Sequence, residues 1–527
     1  MRVEAFLEES RRRHPDKIAL VAGGARLSYA DLDAAASRCA NALRARGLAR
    51  GDRVVIFLNN SVEAVVSIFG TLKAGGVFSV VNPGTKADKL AWLLEKYRAT
   101  ALVTERRLLP VAAEAIPRAP SLVLALVAGA RDLPAGLVAW DAALAAAGEA
   151  PVADRGIDVD LAMIVTTSGS TGVPKGVMMT HQNVVAAATS ITTYLQSSPE
   201  DRVLSVLPLA FDYGLYQVLM SVKVGATLVL EKSFTYPSLV LQKLKEERIT
   251  GLPVVPTMVA ILLQMKDIAP GDFPDLRYVT STAAALPPAH IQRLQDLFPA
   301  TRLYSMYGLT ECKRCTWLPP EELRRRPGSV GIAIPGTEAW IVDESGRRVA
   351  PGVVGELVIR GAHVFKGYWE NPEETDKMLK PGPWPWEKVL HTGDLFKADA
   401  DGYLYFIGRK DDIIKTAGEK VSPKEVENAI YALPGIRHAA VIGVPDAVLG
   451  QAIRAVVVAE PDSGLTERGV IAHCAAHLES FMVPGVVEFR GELPQGPTGK
   501  IRRSQLQAEA ARRALGLPAA DAEAVAP

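Results

Sequence analysis

Residues 166–176 read TTSGSTGVPKG and follow an apolar run at 162–165. Small hydroxylated residues and glycines allow a loop whose backbone N–H groups converge on a phosphate. Here Thr167, Ser168, Ser170 and Thr171 add hydroxyl donors, Gly169 and Gly172 give the turn room, and Lys175 adds a positive charge. A P-loop requires Gly-Lys followed by Ser or Thr; the order Gly-Val-Pro-Lys-Gly makes this a different loop. A second stretch, Tyr307-Gly308-Leu309-Thr310-Glu311, closes an apolar run at 303–306. Ligands of α/β sheets bind beyond the carboxyl ends of strands. A ring, a hydroxyl and a carboxylate placed there could stack a base, bind a phosphate and hold Mg²⁺. Either stretch alone reads equally well as a polar connecting loop.

Such loops need a scaffold, and the pattern around them supplies one. Short apolar runs at 54–58, 77–81, 203–207, 227–230, 254–255, 277–279 and 302–304 alternate with helical stretches. That alternation predicts parallel α/β sheets. Ser28 and Asp31 have capping-box spacing ahead of a helical run that Gly47 can close. From about Gly331 the pattern changes to hairpin-like runs at 339–342, 356–359 and 403–407, separated by Gly, Pro and Asp. These predict a β-rich, β-barrel-like subdomain. Ser422-Pro-Lys-Glu425 then places a capping Ser, a first-turn Pro and an acidic third position, which starts a helix. The expected division is an N-terminal body at 1–408, with two α/β subdomains and the β-rich one, and a small α+β C-terminal domain at 409–527.

Composition narrows the function. The 527 residues are 48% hydrophobic and 22% charged, which excludes disorder for most of the chain. Lys plus Arg is 59 against 58 for Asp plus Glu, a net +1. No electrostatic footprint for nucleic acid and no polybasic membrane patch follows from that balance. Any anionic ligand must be held by a local site. Four cysteines are too few for a disulfide scaffold, and the first residues lack the apolar region of a signal peptide. The apolar stretch 62–81 carries Glu63 and Lys73, and 121–147 is broken by Arg131, Asp132 and Pro134. Neither offers the uninterrupted span of about 20 residues that a bilayer requires. A cytoplasmic protein with no membrane span is expected; composition leaves the oligomeric state open.

Taken together and in this order, the two loops resemble those of the class I adenylate-forming enzymes: acyl- and aryl-CoA synthetases, peptide-synthetase adenylation domains and luciferases. The likeness runs along the chain. Leu27-Ser-Tyr-Ala-Asp-Leu32 and Leu72-Lys-Ala-Gly-Gly resemble the family's early motifs. His391-Thr-Gly-Asp394 is similar to its ribose-binding motif, Gly408-Arg409-Lys-Asp411 to its domain hinge, and Pro497-Thr-Gly-Lys500 to its C-terminal catalytic segment. The resemblance implies that a carboxylate is joined to the α-phosphate of ATP with release of pyrophosphate, and that the acyl group then passes to a thiol. It implies that Lys500 touches both the carboxylate and the α-phosphate, with Lys175 in the phosphate loop. Glu311 would hold Mg²⁺, Thr310 would bind the α-phosphate, and Tyr307, beside Gly308, would stack on adenine. Thr282, Ala283 and Ala284 would line the adenine, and Asp394 with Arg409 would take the ribose hydroxyls. Asp411 would be the hinge of a rotating C-terminal domain and Gly418 would line the thiol tunnel.

Two departures from the acyl-CoA synthetase pattern bear on the substrate. Many acyl-CoA synthetases have an aromatic followed by His before this Gly, Gly214. Here Phe211 stands at the His-like position and Asp212 is added, similar to the Phe-Asp of peptide-synthetase adenylation domains, whose Asp binds the amino group. A buried carboxylate without a cation is costly, so Asp212 needs a substrate ammonium or a protein partner. Phe211, Asp212, Tyr213, Gly214, Ser305 and Met306 would line the acid pocket, suiting a medium-sized, largely apolar acid. Cys312 and Cys315 follow Glu311 where small residues are usual, and have half-site spacing for zinc. Their only complement is His473, Cys474 and His477, and a zinc there would lock the mobile domain; free thiols are expected. The function expected is an ATP-dependent acid–CoA ligase acting on a small-molecule carboxylic acid with ATP, Mg²⁺ and CoA. The alternative is a stand-alone adenylation enzyme loading an amino acid or other acid onto a phosphopantetheinyl acyl carrier protein.

Overall fold

The structure is a computed structural model of the chain. It describes all residues except 131, 154–155, 169–173, 266–267, 283–285, 411, 417–418, 447–448, 462, 497–500 and 515–527.

Three sheets carry the described residues. In the eight-stranded sheet, Arg53–Phe57 pairs in parallel with Val77–Val80 and Ala99–Glu105, and Leu161–Ser168 joins beside Val77–Val80. All four residues of Val77–Val80 are buried, as a continuous apolar run between two helical layers demands. The apolar stretch that began at Val62 is a buried helix, Val62–Lys73, leading to that strand. No helix of the described residues is long and apolar enough to cross a membrane. Leu161–Ser168 turns back on Pro174–Thr180 as an antiparallel pair, with Thr167 opposite Lys175. The chain on either side of residues 169–173 is therefore an antiparallel pair of strands.

The fourteen-stranded sheet has a parallel core of Thr227–Leu230, Arg202–Ser205, Gly251–Val254, Tyr278–Ser281 and Arg302–Tyr307. Beyond Tyr307 the sheet becomes antiparallel, through Thr316–Leu318 and Ser329–Ala333 to Leu404–Arg409, Lys388–Ala398, Gly355–Gly361 and Thr337–Val342. The change of pattern near Gly331 falls inside a strand that links the two halves. Gly331 has φ +88°, and a Cβ there would lie 1.9 Å from the Trp317 carbonyl oxygen, so only glycine lets these strands meet.

The third sheet holds Ile414–Thr416, Glu419–Val421, Ile436–Asp446, Gly450–Ala459 and Val486–Phe489. It has its own buried cluster, centred on Val426, Ile430, Val441 and Val457. Helix Pro423–Tyr431 starts as its sequence requires: the Ser422 hydroxyl accepts from Glu425 N–H at 3.3 Å, and Pro423 occupies the first turn. The Ser422 hydroxyl also donates to the Ile407 carbonyl, and Tyr431 meets His290 edge-on at 5.7 Å. The small unit thus touches both the β-rich strands and the α/β body.

Candidate active site

Tyr307 ends the last parallel strand of the large sheet, and the chain then doubles back so that Tyr307 faces Thr316. Lys313 N–H donates to the Leu309 carbonyl at 2.7 Å, and Cys315 N–H donates to the Tyr307 carbonyl at 2.9 Å. Gly308 is pressed against this turn; a Cβ there would stand 2.0 Å from the Lys313 carbonyl oxygen. The result is a tight hairpin holding Thr310 and Glu311 at a strand's carboxyl end.

Two antiparallel strands bring Asp394 opposite Arg409. The Tyr307 hydroxyl donates to Asp394 Oδ2 at 2.5 Å, and Arg409 Nε lies 3.2 Å from Asp394 Oδ1. Burial, then the negative charge of Asp394, holds the Tyr307 phenol well above its ordinary range. Burial opposes the charge of Arg409, yet Asp394 leaves that guanidinium above its usual value. The Tyr307 ring meets Phe396 edge-on at 4.9 Å and lies over Phe406 at 6.1 Å, an aromatic wall for a flat ligand. Glu356 props this arrangement. It accepts from Gly393 N–H at 3.0 Å and sits 3.5 Å from His391 Nδ1, while Gly393 takes φ +70°.

A second group adjoins the first. The Tyr368 hydroxyl donates to Glu311 Oε1 at 2.6 Å, and Phe365 N–H donates to the Glu311 carbonyl at 2.8 Å. Tyr368 is on a short strand paired with Pro174–Thr180, so it bridges that strand and the Glu311 turn. Lys175 lies 5.3 Å over the Tyr368 ring and is paired with Glu374. Lys175 and Lys377 hold the Glu374 carboxyl below its usual range. Arg409, Tyr368 and Glu311 lie near enough to act on one another's charge, so the two groups are neighbours. The Thr167 hydroxyl donates to the Lys175 carbonyl at 3.4 Å, and Thr166 shares a 2.8 Å hydrogen bond with the Tyr97 hydroxyl.

The residues expected to line the acid pocket lie on and beside the strand that ends at Tyr307. Asp212 opens helix Asp212–Val224, and Gly214 lets that helix approach the chain before it; a Cβ would come 2.4 Å from the Pro208 carbonyl oxygen. The Tyr213 hydroxyl donates to the Thr280 carbonyl at 2.8 Å, and Phe211 meets the Tyr213 ring edge-on at 6.1 Å. Met306 Sδ accepts from the Tyr194 hydroxyl at 2.9 Å; Ser305 and Thr282 are buried. Asp212 has a protein partner, Lys313, at 3.4 Å. The cation that a buried carboxylate requires is thus supplied from within the chain.

Tyr368, Glu374, Glu356, Lys313 and Arg314 were not marked by the sequence as site residues. No local spacing singled them out. Gly169, Ser170, Thr171, Gly172, Ala283, Ala284, Asp411, Gly418 and Lys500 lie outside the described residues, as does the side chain of Ser168. Cys312 and Cys315 are buried free thiols with sulfurs 2.9 Å apart. His473 Nε2 lies 3.0 Å from the Ala429 carbonyl and His477 Nδ1 lies 2.8 Å from the His473 carbonyl. Among the described residues no group of three or more His, Cys, Asp or Glu is placed to hold a metal. Glu311 is the acidic side chain of the turn after Tyr307. Only its Oε1 has a hydrogen bond among the described residues, and one carboxylate with phosphate oxygens is a donor set that fits Mg²⁺. Surface depressions of about 370 Å³ near Arg437 and about 560 Å³ near Trp92 contain none of these groups.

A family model described as AMP-binding enzyme matches residues 7–369, and one described as AMP-binding enzyme C-terminal domain matches residues 425–500. The chain is 31% identical over 535 residues to a long-chain-fatty-acid–CoA ligase of Bacillus subtilis (strain 168), covering 96% of this chain and 94% of that one. Its structure is similar to the ATP-bound MatB of Rhodopseudomonas palustris, with TM-score 0.87, 31% identity, and 96% and 99% of the two chains covered. It is also similar to the anthranilate CoA ligase AuaEII in complex with anthranoyl-AMP, with TM-score 0.89, 27% identity, and 98% of each chain covered.

Proposed function

We infer the reaction from a premise the matches establish: the chain belongs to the AMP-binding enzyme family. It is an AMP-forming acid–CoA ligase, which makes an acyl-adenylate from ATP and then a CoA thioester. One arrangement supports this reading beyond the matches. The Tyr307–Asp394–Arg409 set, walled by Phe396 and Phe406, stands beside the Glu311–Tyr368–Lys175 set.

In the first half-reaction a carboxylate oxygen attacks the α-phosphorus, a P–O bond to the β-phosphate breaks, and pyrophosphate leaves. Both reactants are anions, so positioned cations must offset their repulsion. Tyr307 stacks on the adenine, and Asp394, steadied by Arg409 and by Glu356 beneath its turn, accepts from the ribose hydroxyls. Lys175 and the hydroxyls of Thr167, Ser168, Ser170 and Thr171 would bind the phosphates, and Thr310 would bind the α-phosphate. Glu311, oriented by Tyr368, would hold Mg²⁺, which supplies charge neutralisation along the phosphate chain. Lys500 spans the carboxylate and the α-phosphate. In the second half-reaction the CoA sulfur attacks the acyl carbonyl and AMP leaves. Between the two, the unit from residue 409 turns about Asp411, withdrawing Lys500 and bringing Gly418 to the thiol path.

Separate assays of the two half-reactions test this division. Lys500→Ala should lose acyl-AMP formation yet still make thioester from supplied acyl-AMP. Equal loss of both steps would refute the division of labour.

A further inference from the structure

Asp212, Lys313 and Arg314 are buried together at the acid pocket, 7%, 2% and 4% exposed. Lys313 Nζ lies 3.4 Å from Asp212 Oδ2 and 4.9 Å from the Tyr216 ring centre, so those two charges offset one another. Arg314 has no such counter-ion: among the described residues it forms no ion pair, and its Nε is buried without a hydrogen-bond partner. Its guanidinium carbon lies 4.5 Å from the Tyr213 ring centre, Nη1 donates to the Lys313 carbonyl at 3.3 Å, and the Tyr194 hydroxyl stands against it. Tyr213 is anchored in turn by its hydrogen bond to Thr280. The guanidinium is therefore held among Tyr213, Tyr194 and the Lys313 carbonyl, beside the residues expected to line the acid pocket, with no counter-ion among the described residues.

Burying a guanidinium without a counter-ion is unfavourable, and planar forks of this kind match carboxylates. Counted together, Asp212, Lys313 and Arg314 leave one positive charge. Glu311, the other acid near Lys313, is committed to Tyr368 and to the phosphate side of the cleft. An α-amino acid would add a second unmet positive charge, whereas a group carrying a negative charge would complete the set.

We propose that the acid activated by this protein carries a second carboxylate, remote from the reacting one, and that Arg314 binds it. This deepens the acid–CoA ligase reading and rests on it. Arg314 is then the residue that sets substrate specificity, and the Lys313–Asp212 pair keeps Asp212 from competing for the guanidinium.

The test uses the full chain with ATP, Mg²⁺ and CoA. AMP release is measured for straight-chain dicarboxylic acids, for monocarboxylic acids of equal carbon number, and for α-amino acids. The expected result is a kcat/KM for the best diacid at least about 30-fold above that of its matched monoacid, the smallest effect of a buried charge-pair contact. Arg314→Met should lower kcat/KM at least about 30-fold more for the diacid than for the monoacid, mainly through KM. Arg314→Lys, which keeps the charge, should recover part of the diacid preference. Equal losses on both acids would mean that Arg314 serves the reacting carboxylate or the fold, and would overturn the proposal. A wild-type preference for monoacids or amino acids would overturn it too, while leaving the ligase reading intact. AMP release with none of the three sets would sink both. If Arg314→Met fails to fold, the wild-type preference and Arg314→Lys still decide.

Discussion

The Asp212–Lys313 pair makes a quantitative prediction. At 3.4 Å the attraction is about 5 kcal/mol for an effective dielectric of about 20. Removing two charges from water costs several kcal/mol per ion, so the pair as a unit is close to neutral for stability. Removing one partner is different, because the other stays buried and uncompensated. Asp212→Asn and Lys313→Met should each destabilise the body by about 3 kcal/mol, the low end of the range because the contact is long. The double variant should lose less than the sum, with a coupling of at least about 2 kcal/mol. Urea unfolding followed by tryptophan fluorescence measures the cycle. The pH dependence has a definite sign. Burial holds the Lys313 amine below its ordinary value, and Asp212 works against that lowering. Between the lowered folded value and the unfolded value near about 10.4, the unfolded chain binds the extra proton, so stability rises with pH. Asp212→Asn removes the opposing charge and extends that window downward. The variant should therefore regain stability relative to wild type as pH rises toward about 10. Additive single losses below about 0.5 kcal/mol and no pH dependence would refute a buried pair, and would free Asp212 for a substrate amine.

Three further outcomes follow from the cleft. Tyr307→Phe keeps the packing on Phe396 and Phe406 but removes a 2.5 Å hydrogen bond to a carboxylate, worth about 1.5–3 kcal/mol. The KM for ATP should rise about tenfold or more in initial-rate measurements, and an unchanged KM would dissociate Tyr307 from the nucleotide. Glu356→Gln weakens the support under Gly393 and His391, so the KM for ATP should rise several-fold while the KM for the acid holds; an equal rise in both would point to general loosening. Gly214→Ala forces a Cβ to 2.4 Å from a backbone oxygen and should cost about 1–3 kcal/mol, raising the acid KM more than the ATP KM.

Much of this was legible in the residues. The apolar runs became strands, and Ser28 and Ser422 cap the helices that their spacing announced. Tyr307, Asp394 and Arg409 meet in one cleft because each lies at the end or bulge of a strand. What local pattern could not show is pairing across the chain. Tyr368 reaches Glu311 only because Gly367–Tyr368 adds to the edge of Pro174–Thr180. Glu356 lies under Gly393 only through the register of two antiparallel strands. Lys313 and Arg314 sat within a Cys-x-x-Cys spacing, and charged residues in a turn ordinarily face water. The hairpin closed by Gly308 turns them inward instead. The change of composition near Gly331 marks a strand shared by two halves of one sheet, because a glycine with positive φ serves close strand contact as well as a boundary.

The most direct test of the first half-reaction is exchange of labelled pyrophosphate into ATP with a panel of carboxylic acids and no CoA. Reversible acyl-adenylate formation requires exchange that depends on the acid, proceeds without CoA, and disappears in Lys500→Ala. Exchange that starts only when CoA is added, or ATP cleavage to ADP and phosphate, would contradict an acyl-adenylate mechanism.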